Sequence, residues 1–328
     1  MTLTRRKFLH TLAAAAALPA GTRKALAQAY PVRPIRLVVP YPPGGVYDAT
    51  GRLWADRTKA HLGTIVIENI GGGGSTRGTA AVAHAQPDGY TILLGGDSGL
   101  VINPLASSQV TYDPVKDFEP IAVVGRNPTL IEVHPSQPIH SLKELAAFAK
   151  ANPGKLSYGT SGVGTTNHLV GELFKSLSGT DIAHVPYRGA GPALTDLLGG
   201  HIPMLVQSVT GQALEMHRTG KLRILAVTSD QPLTAEPSIP TVQQAGFAKL
   251  ASQQFLGLFA PRGTPSEAIE RVAQATRDTM ADHEVQKLFI AAGFDPDAGS
   301  TPQQTRALLA SDIAKWAPVI KAIGLKLD

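Results

Sequence analysis

The residues of this chain that could do chemistry are hydroxyl, glycine and aromatic residues placed where apolar runs end. The first group is Tyr41, Pro43, Gly44 and Gly45, which follow an apolar run and precede a helical pattern containing Asp48. A rigid proline–glycine loop between a strand and a helix leaves backbone N–H groups free, and such groups bind anions, carboxylates included. An ordinary strand-to-helix turn has the same composition, so both interpretations stay open at this point.

Two later segments repeat this arrangement of glycine and hydroxyl residues between a predicted strand and a predicted helix. The first runs from Ser161 to His168 and contains Gly164, Thr165 and Thr166. The second is Tyr187-Arg188-Gly189, after the next predicted strand. Arg188 could pair with a carboxylate, or it could be a solvated or structural arginine.

Ser98 lies in Gly96-Asp97-Ser98-Gly99, a sequence also found around the nucleophile of some serine proteases. Those proteases are pairs of antiparallel barrels, whereas this segment follows a buried-strand pattern in a chain of alternating strands and helices. No G-x-S-x-G nucleophile elbow is present either. Ser98 is therefore expected to donate its hydroxyl to a ligand or to cap a helix, and these two roles are compatible.

The remaining motifs do not predict a cofactor, a metal or a catalytic centre. The glycine run 71–74 lacks the Gly-Lys-Ser/Thr ending of a phosphate-binding loop and is interpreted as a flexible turn. The histidines show no metal-binding spacing, and the absence of cysteine excludes thiolate chemistry. No pair of carboxylates suggests acid–base chemistry. The sequence therefore predicts a ligand cleft without catalysis, no cofactor and no metal.

The first 27 residues have the pattern of a twin-arginine (Tat) signal peptide. Arg5 and Arg6 precede a short, alanine-rich apolar stretch, and Ala25-Leu26-Ala27 is a typical cleavage site. A basic arm or an amphipathic helix is the alternative, but neither explains the three features in this order. The leader carries five basic residues and no acidic ones, so its removal leaves 25 of each sign. A neutral mature protein is not expected to bind nucleic acid.

The rest of the chain alternates short apolar runs with helical patterns, which predicts an α/β fold with helices on both faces of the sheets. The predicted strands are Ile35–Tyr41, Thr64–Asn69, Thr91–Gly95, Leu156–Thr160, Ile182–Tyr187, Ile202–Gln207, Arg223–Thr228 and Phe255–Ala260. Helix starts are predicted at three capping boxes, which begin at Ser141, Thr264 and Thr301. Changes of pattern near Gly125–Pro128 and Lys249–Gln254 indicate a domain inserted into another. The expected domains are residues 28–126 with 253–328, and residues 127–252.

From residue 30 to the end, the sequence resembles the solute receptors of tripartite tricarboxylate transporters, often called Bug-type binding proteins. The resemblance rests on many segments in one order. They include 34–45 with Asp48, Glu68-Asn69 with the glycine run, 87–95, 112–118, 151–156, 161–168, 171–174, 184–189, 192–196, 222–228 and 257–261.

The resemblance implies a two-domain periplasmic binding protein, a type II-like clamshell in which each domain is a mixed, mostly parallel sheet flanked by helices. Such receptors are not enzymes. They are expected to be monomers that bind a small organic carboxylate in the cleft and deliver it to membrane subunits of the transporter. The ligand-binding positions implied are Tyr41, Pro43, Gly44, Gly45, Asp48, Ser98, Ser161, Gly164, Thr165, Thr166, His168, Tyr187, Arg188, Gly189, Gln207 and Ser208.

Gln207-Ser208 departs from the family, because many relatives have an acidic residue followed by Asn there. A second departure is Gln254-Phe255, where many relatives have an aromatic pair. Both departures predict that the distal part of the ligand is recognised differently here. Two other functions stay open: a ligand sensor for a membrane signalling protein, and a Tat-exported periplasmic enzyme.

Overall fold

The computed structural model describes residues 30–44 and 46–327, so the predicted signal peptide and Gly45 lie outside the described residues. Its strands are β1 (Ile35–Val39), β2 (Ile65–Asn69), β3 (Thr91–Gly96), β4 (Phe118–Val133), β5 (Ser157–Thr160), β6 (Ala183–Pro186), β7 (Met204–Ser208), β8 (Arg223–Val227), β9 (Gln253–Pro261) and β10 (Asp295–Pro296). Its α-helices are α1 (Val46–Leu62), α2 (Thr76–Ala83), α3 (Asn103–Ala106), α4 (Leu142–Ala151), α5 (Thr166–Ser178), α6 (Ala190–Leu198), α7 (Gly211–Arg218), α8 (Ser266–Met280), α9 (His283–Ala291) and α10 (Pro302–Ala322).

The strands of the described chain form two groups joined by β4. The order along the sheet is β2-β1-β3-β9-β4-β7-β5-β6, and β10 and β8 also pair with β4. β1 is parallel to β2 and β3, and β5 is parallel to β6 and β7. β4 and β9 run antiparallel to their neighbours. The prediction of an α/β fold with mixed sheets is therefore confirmed.

β4 belongs to both groups because it is sixteen residues long. Residues Phe118 to Pro128 pair with β9, and residues Thr129 to Val133 pair with β7. Two register shifts occur in the first part, between Pro120 and Ala122 and between Val123 and Gly125. Bulges of this kind let a strand tolerate proline and change direction.

The helix ends follow the capping chemistry in two of the three predicted places. The Thr301 hydroxyl accepts from the Gln304 N–H, and the Gln304 side chain reaches back to the Thr301 N–H, so α10 begins with a complete capping box. The Ser141 hydroxyl caps α4 by accepting from the Glu144 N–H, but the Glu144 carboxylate accepts from the His140 N–H, so the second half of the predicted box does not form. The helix predicted at Thr264 forms as α8, which begins at Ser266. The predicted capping box does not form, because the Thr264 hydroxyl donates to the Pro261 carbonyl.

The C-terminal helix α10 connects the two groups of strands. Trp316 and Ile320 on α10 are buried in one apolar cluster with Leu93 of β3 and Leu169 of α5. Burial of large apolar side chains is the main stabilising contribution to such a core. The helix α10 therefore packs against both strand groups, and the loops that follow β1, β3 and β5 face a common space.

Candidate functional site

A cavity of about 520 Å³ lies between loops of the two strand groups. Four of the predicted binding residues line it: Tyr41, Ser98, Gly164 and Thr165. The other lining residues are Gly73, Gly74, Thr76, Arg77, Ala80, Asn103, Ser107, Gln109, Thr111, Val163 and Leu327. A cavity of this size suits a small organic molecule.

Asp48 stabilises the loop after β1 and does not itself line the cavity. Its carboxylate accepts from the Gly44 N–H at 2.9 Å, from Asn69 Nδ2 at 3.0 Å and from Arg52 Nε at 3.1 Å. The hydrogen bond from Arg52 and then that from Gly44 lower the pKa of Asp48 to about 2. Asp48 therefore stabilises the conformation of the loop through the Gly44 N–H. Pro43 and Gly44 are exposed and do not line the cavity.

Replacing Asp48 by asparagine is expected to lower the free energy of unfolding by roughly 1.5–3 kcal/mol at pH 7, because an amide cannot accept from all these donors. The contribution of the wild-type carboxylate is present above pH 4 and is lost as the pH falls through about 2. Urea unfolding of both proteins between pH 7 and pH 2 measures this. Asp56→Asn on the same helix is the control, because the Asp56 side chain is 73% exposed. Equal losses in the two variants would contradict the bracing role.

Tyr41 and Ser98 form the part of the cavity nearest the ends of β1 and β3. The Tyr41 ring packs on Tyr47 with 4.4 Å between ring centroids, and its hydroxyl interacts with the Ser98 side chain. Burial raises the pKa of Tyr41, so the hydroxyl keeps its proton and can donate to a ligand. Ser98 also begins a short π-helical turn, Ser98–Ile102.

Asp97 precedes Ser98 of the cavity lining and hydrogen bonds to α5. Its carboxyl group is 2% exposed and accepts from the Thr166 hydroxyl at 3.1 Å. Burial and the neighbouring charge of Asp312 raise the pKa of Asp97 well above its usual range. Thr166, a predicted ligand-binding residue, thus uses its hydroxyl on Asp97 and does not line the cavity.

The loop before α5 contributes Gly164 and Thr165 to the cavity lining. His168 of α5 hydrogen bonds to this loop and does not line the cavity. The Thr165 hydroxyl caps α5 by accepting from the His168 N–H at 3.3 Å. His168 Nδ1 accepts from the Gly164 N–H at 3.4 Å, and its ring stacks on His184 at 4.1 Å. Burial lowers the pKa of His168, which keeps the ring neutral and Nδ1 free to accept.

Ser161 and Ser208 take part in a polar network beside the cavity. Asn167 Nδ2 lies 3.5 Å from the hydroxyl of each serine, and Gln254 Nε2 donates to Ser208 at 2.8 Å and to Asn167 Oδ1 at 3.1 Å. Thr129 also donates to Asn167 Oδ1. The network joins α5 and β7 to the two long strands β4 and β9, and neither serine lines the cavity.

Four further predicted binding residues do not reach the cavity. Tyr187 donates to Asp196 at 2.7 Å, and the Gly189 N–H donates to the Ser161 carbonyl at 3.2 Å. Arg188 is exposed outside the cavity lining. Gln207 is 1% exposed and donates to the buried Glu132 at 2.9 Å. The last contact explains why a polar residue is tolerated at position 207, since its amide donates to one oxygen of a buried carboxyl group.

The part of the cavity wall formed by the glycine run and α2 was not predicted from the sequence. Asn103 is buried, and its Nδ2 donates to the carbonyls of Gly73 and Gly74 and to the Thr76 hydroxyl. The glycine run leads into α2, as predicted, and this amide hydrogen bonds to it, so the run has an interaction that the sequence did not indicate. The available signal was the run itself, since four glycines before Ser75-Thr76-Arg77 resemble other anion-binding loops.

The cavity offers hydrogen-bond donors and no acid–base pair. Its described lining contains hydroxyl, amide and guanidinium groups and no Asp, Glu or His. Within residues 30–44 and 46–327, no three His, Asp or Glu side chains are grouped as metal ligands. In the same ranges, no helix is both long and apolar enough to cross a membrane. Such a lining can bind an anion, because it contains a guanidinium group and hydroxyl groups and has no described acidic side chain to repel the anion.

Comparisons with known proteins identify similar sequences and similar folds. The protein BugT of Bordetella pertussis is 34% identical over 303 residues, which cover 92% of each chain. The structure of Rpa4515 from R. palustris with adipate superposes with a TM-score of 0.79 at 32% identity, covering 90% of this chain and 99% of the other. MatC from Rhodopseudomonas palustris with bound malate superposes with a TM-score of 0.76 at 28% identity, covering 89% and 100%.

The structure of periplasmic binding protein BugD superposes with a TM-score of 0.76 at 32% identity, covering 90% of this chain and 99% of the other, and confirms the predicted periplasmic binding protein fold. Residues 51–325 match the model of the tripartite tricarboxylate transporter family receptor. The relatives are solute receptors and not enzymes, as the sequence predicted. The resemblance found in the sequence is thereby confirmed, and the chain belongs to the tripartite tricarboxylate transporter receptor family.

Proposed function

We propose that this protein is a periplasmic receptor that binds a small carboxylate-bearing solute and delivers it to the membrane subunits of a tripartite tricarboxylate-type transporter. The observation that carries the proposal is the cavity lining, in which the described polar residues are donors and none is an acid. Burial of a carboxylate is costly unless it is hydrogen bonded or paired with a cation. Adipate and malate, bound in two of the relatives, are ligands of this chemical class.

The proposal includes two domains, residues 28–126 with 253–328 and residues 127–252, which close on the ligand. Support comes from β4 and β9, the long strands that cross from one strand group toward the other. The network of Asn167, Gln254 and Ser208 lies at this crossing. A ligand that contacts both domains stabilises the closed state by its difference in affinity between the open and closed states. Closure then reports occupancy to the membrane partner.

The proposed location is the periplasm, reached through the Tat pathway with cleavage near Ala27. Arg5 and Arg6 and the Ala25-Leu26-Ala27 sequence support this route. Replacing both arginines by lysine in the full-length precursor is expected to retain the protein inside the cell. Export of that variant at the wild-type level would exclude the Tat pathway.

Isothermal titration calorimetry and thermal shift against a solute panel test the proposed ligand class. The panel contains malate, adipate, benzoate, amino acids and sugars, and the mature chain is the protein used. We expect at least one carboxylate to bind with a dissociation constant near micromolar, which corresponds to about −8 kcal/mol. Binding of sugars alone, with neither heat nor stabilisation from any carboxylate-bearing solute of the panel, would overturn the proposal.

A further inference from the structure

We propose that Leu327 is a specificity-determining residue, whose side chain bounds the cavity against Gly164 and limits the length of the carbon chain that a ligand can have. This inference rests on the proposed function, because it concerns the ligand of the same cavity. Leu327 follows α10 and lines the cavity, whereas the sequence predicted the site in loops that follow strands.

The backbone of Leu327 is attached to α3, the helix that follows β3. Its N–H donates to the carbonyl of Ala106, the last residue of α3, at 2.9 Å. The Leu325 N–H donates to the Ile320 carbonyl at 3.2 Å, so the chain between α10 and Leu327 is also hydrogen bonded. Leu325 and Leu327 pack against the apolar cluster that contains Trp316. The position of Leu327 is therefore fixed on one side of the cavity.

The side chain of Leu327 lies against Gly164, which belongs to the loop after β5 in the other strand group. A Cβ atom built on Gly164 would lie 2.7 Å from Leu327 Cδ1 and 2.8 Å from Cδ2. The leucine methyl groups thus occupy the space that a side chain at position 164 would need. Both residues line the cavity, so this contact joins the two strand groups at the cavity wall.

Leu327 is the largest aliphatic side chain of the described cavity lining, in which the others are Ala80 and Val163. Hydrogen-bond donors stabilise the carboxylate of a ligand, whereas its carbon chain gains affinity from aliphatic surface. One methylene group more or less against such a surface changes affinity about 10-fold or more. A leucine whose backbone is hydrogen bonded in place can therefore select ligands by length.

Calorimetry with unbranched carboxylates of increasing length tests this inference. The probes are butanoate, hexanoate and octanoate, together with succinate, adipate and suberate. Leu327→Ala removes methyl groups and leaves room for added methylenes. We therefore expect the affinity for each longer acid, relative to the next shorter acid, to rise about 10-fold or more in this variant. Leu327→Met conserves the side-chain volume and should keep the wild-type preference.

A mutant cycle with Gly164→Ala tests the contact itself. The added methyl group collides with Leu327, and we expect the best ligand of the series to bind at least about 10-fold more weakly. Leu327→Ala in the same protein should recover part of this loss. Gly179→Ala is the matched control, because Gly179 also has a positive φ, +63°, but no atom lies within 4 Å of the position of its Cβ atom. Leu327→Ala should not change the effect of Gly179→Ala.

Leu288→Ala is the control for the loss of a leucine, because Leu288 is an exposed residue of α9 outside the cavity lining. It should leave every affinity unchanged. A length preference that is the same in wild-type protein and Leu327→Ala would overturn the inference and leave the proposed function intact. Simple addition of the losses from Gly164→Ala and Leu327→Ala would do the same. A loss of stability in Leu327→Ala does not obscure the result, because it weakens short and long acids equally. A wild-type protein that binds no carboxylate of the series or of the panel overturns the proposed function and this inference with it.

Discussion

Replacing Gly78 by alanine is expected to destabilise the protein by about 1–3 kcal/mol and to weaken ligand binding at least 10-fold. A Cβ atom at this buried position of α2 would lie 2.6 Å from the Ile70 carbonyl oxygen, 2.7 Å from the Pro40 Cα and 2.8 Å from the Pro40 Cβ. These neighbours are backbone atoms and a proline ring, which cannot change rotamer to make room. The added methyl group must therefore displace α2, which carries Thr76, Arg77 and Ala80 of the cavity wall.

Urea denaturation measures the loss of stability, and calorimetry with the best ligand of the panel measures the loss of affinity. Gly191→Ala is the matched control, because Gly191 is also in a helix but has no atom within 4 Å of the position that a Cβ atom would occupy. There the methyl group should be neutral, or it should stabilise the protein by up to about 1 kcal/mol through helix propensity. The close approach of α2 would be refuted by a Gly78→Ala protein as stable as the Gly191→Ala protein.

The strands could be predicted because their apolar runs are short, nearly continuous and bounded by glycine or proline. β1, β2 and β3 begin and end within two residues of the predicted limits. The long strand β4 could not be predicted in the same way. Pro120, Gly125 and Pro128 interrupt its apolar pattern, and the sequence indicated a domain boundary near the last two. Bulges and the pairing with β9 keep the chain extended through these residues.

The cavity could be predicted in part, because the ends of strands and the starts of helices are visible in a sequence. Tyr41, Ser98, Gly164 and Thr165 were found by that reasoning and line the cavity. The wall containing Asn103 was not found, because it depends on one amide bridging about 30 residues to the glycine run. Periodicity and local motifs contain no information about such a contact.

The structure also separates residues that support the site from residues that line it, which the sequence could not do. Asp48 and His168 belong to the predicted segments, but each hydrogen bonds to a loop from behind. Their side chains accept from the backbone N–H groups of Gly44 and Gly164, so these N–H groups are not available to a ligand. A motif shows which residues lie close together in the sequence. The directions in which their side chains point depend on the packing of the helices that follow.

Replacing Glu132 by glutamine is expected to remove the dependence of stability on pH that this residue causes, so that the variant is less stable than the wild type at low pH and more stable at high pH. Glu132 is fully buried on β4, where its Oε2 accepts from Gln207 and its Oε1 has no partner among the described residues. Burial raises its pKa from 4.5 to about 8. A carboxyl group with a raised folded-state pKa stabilises the folded state below the unfolded value, and this contribution is lost as the pH rises through about 8. The total loss is at most about 5 kcal/mol.

Chemical denaturation at intervals from pH 5 to pH 9 gives the unfolding free energies of wild-type protein and Glu132→Gln. Burial also raises the pKa of Asp97 and Asp312, so their titration contributes to the pH dependence of both proteins. These contributions cancel in the difference between the two curves, which therefore reports on Glu132. At pH 5 the variant should be less stable by about 1–3 kcal/mol, since the glutamine amide has donors without acceptors. At pH 9 it should be the more stable protein, because the wild-type carboxylate is then ionised inside the core. Glu215→Gln on the surface of α7 is the control and should give a difference curve that does not change with pH. If the difference curve for Glu132→Gln is equally flat, Glu132 is ionised at neutral pH without cost to stability, and the prediction is wrong.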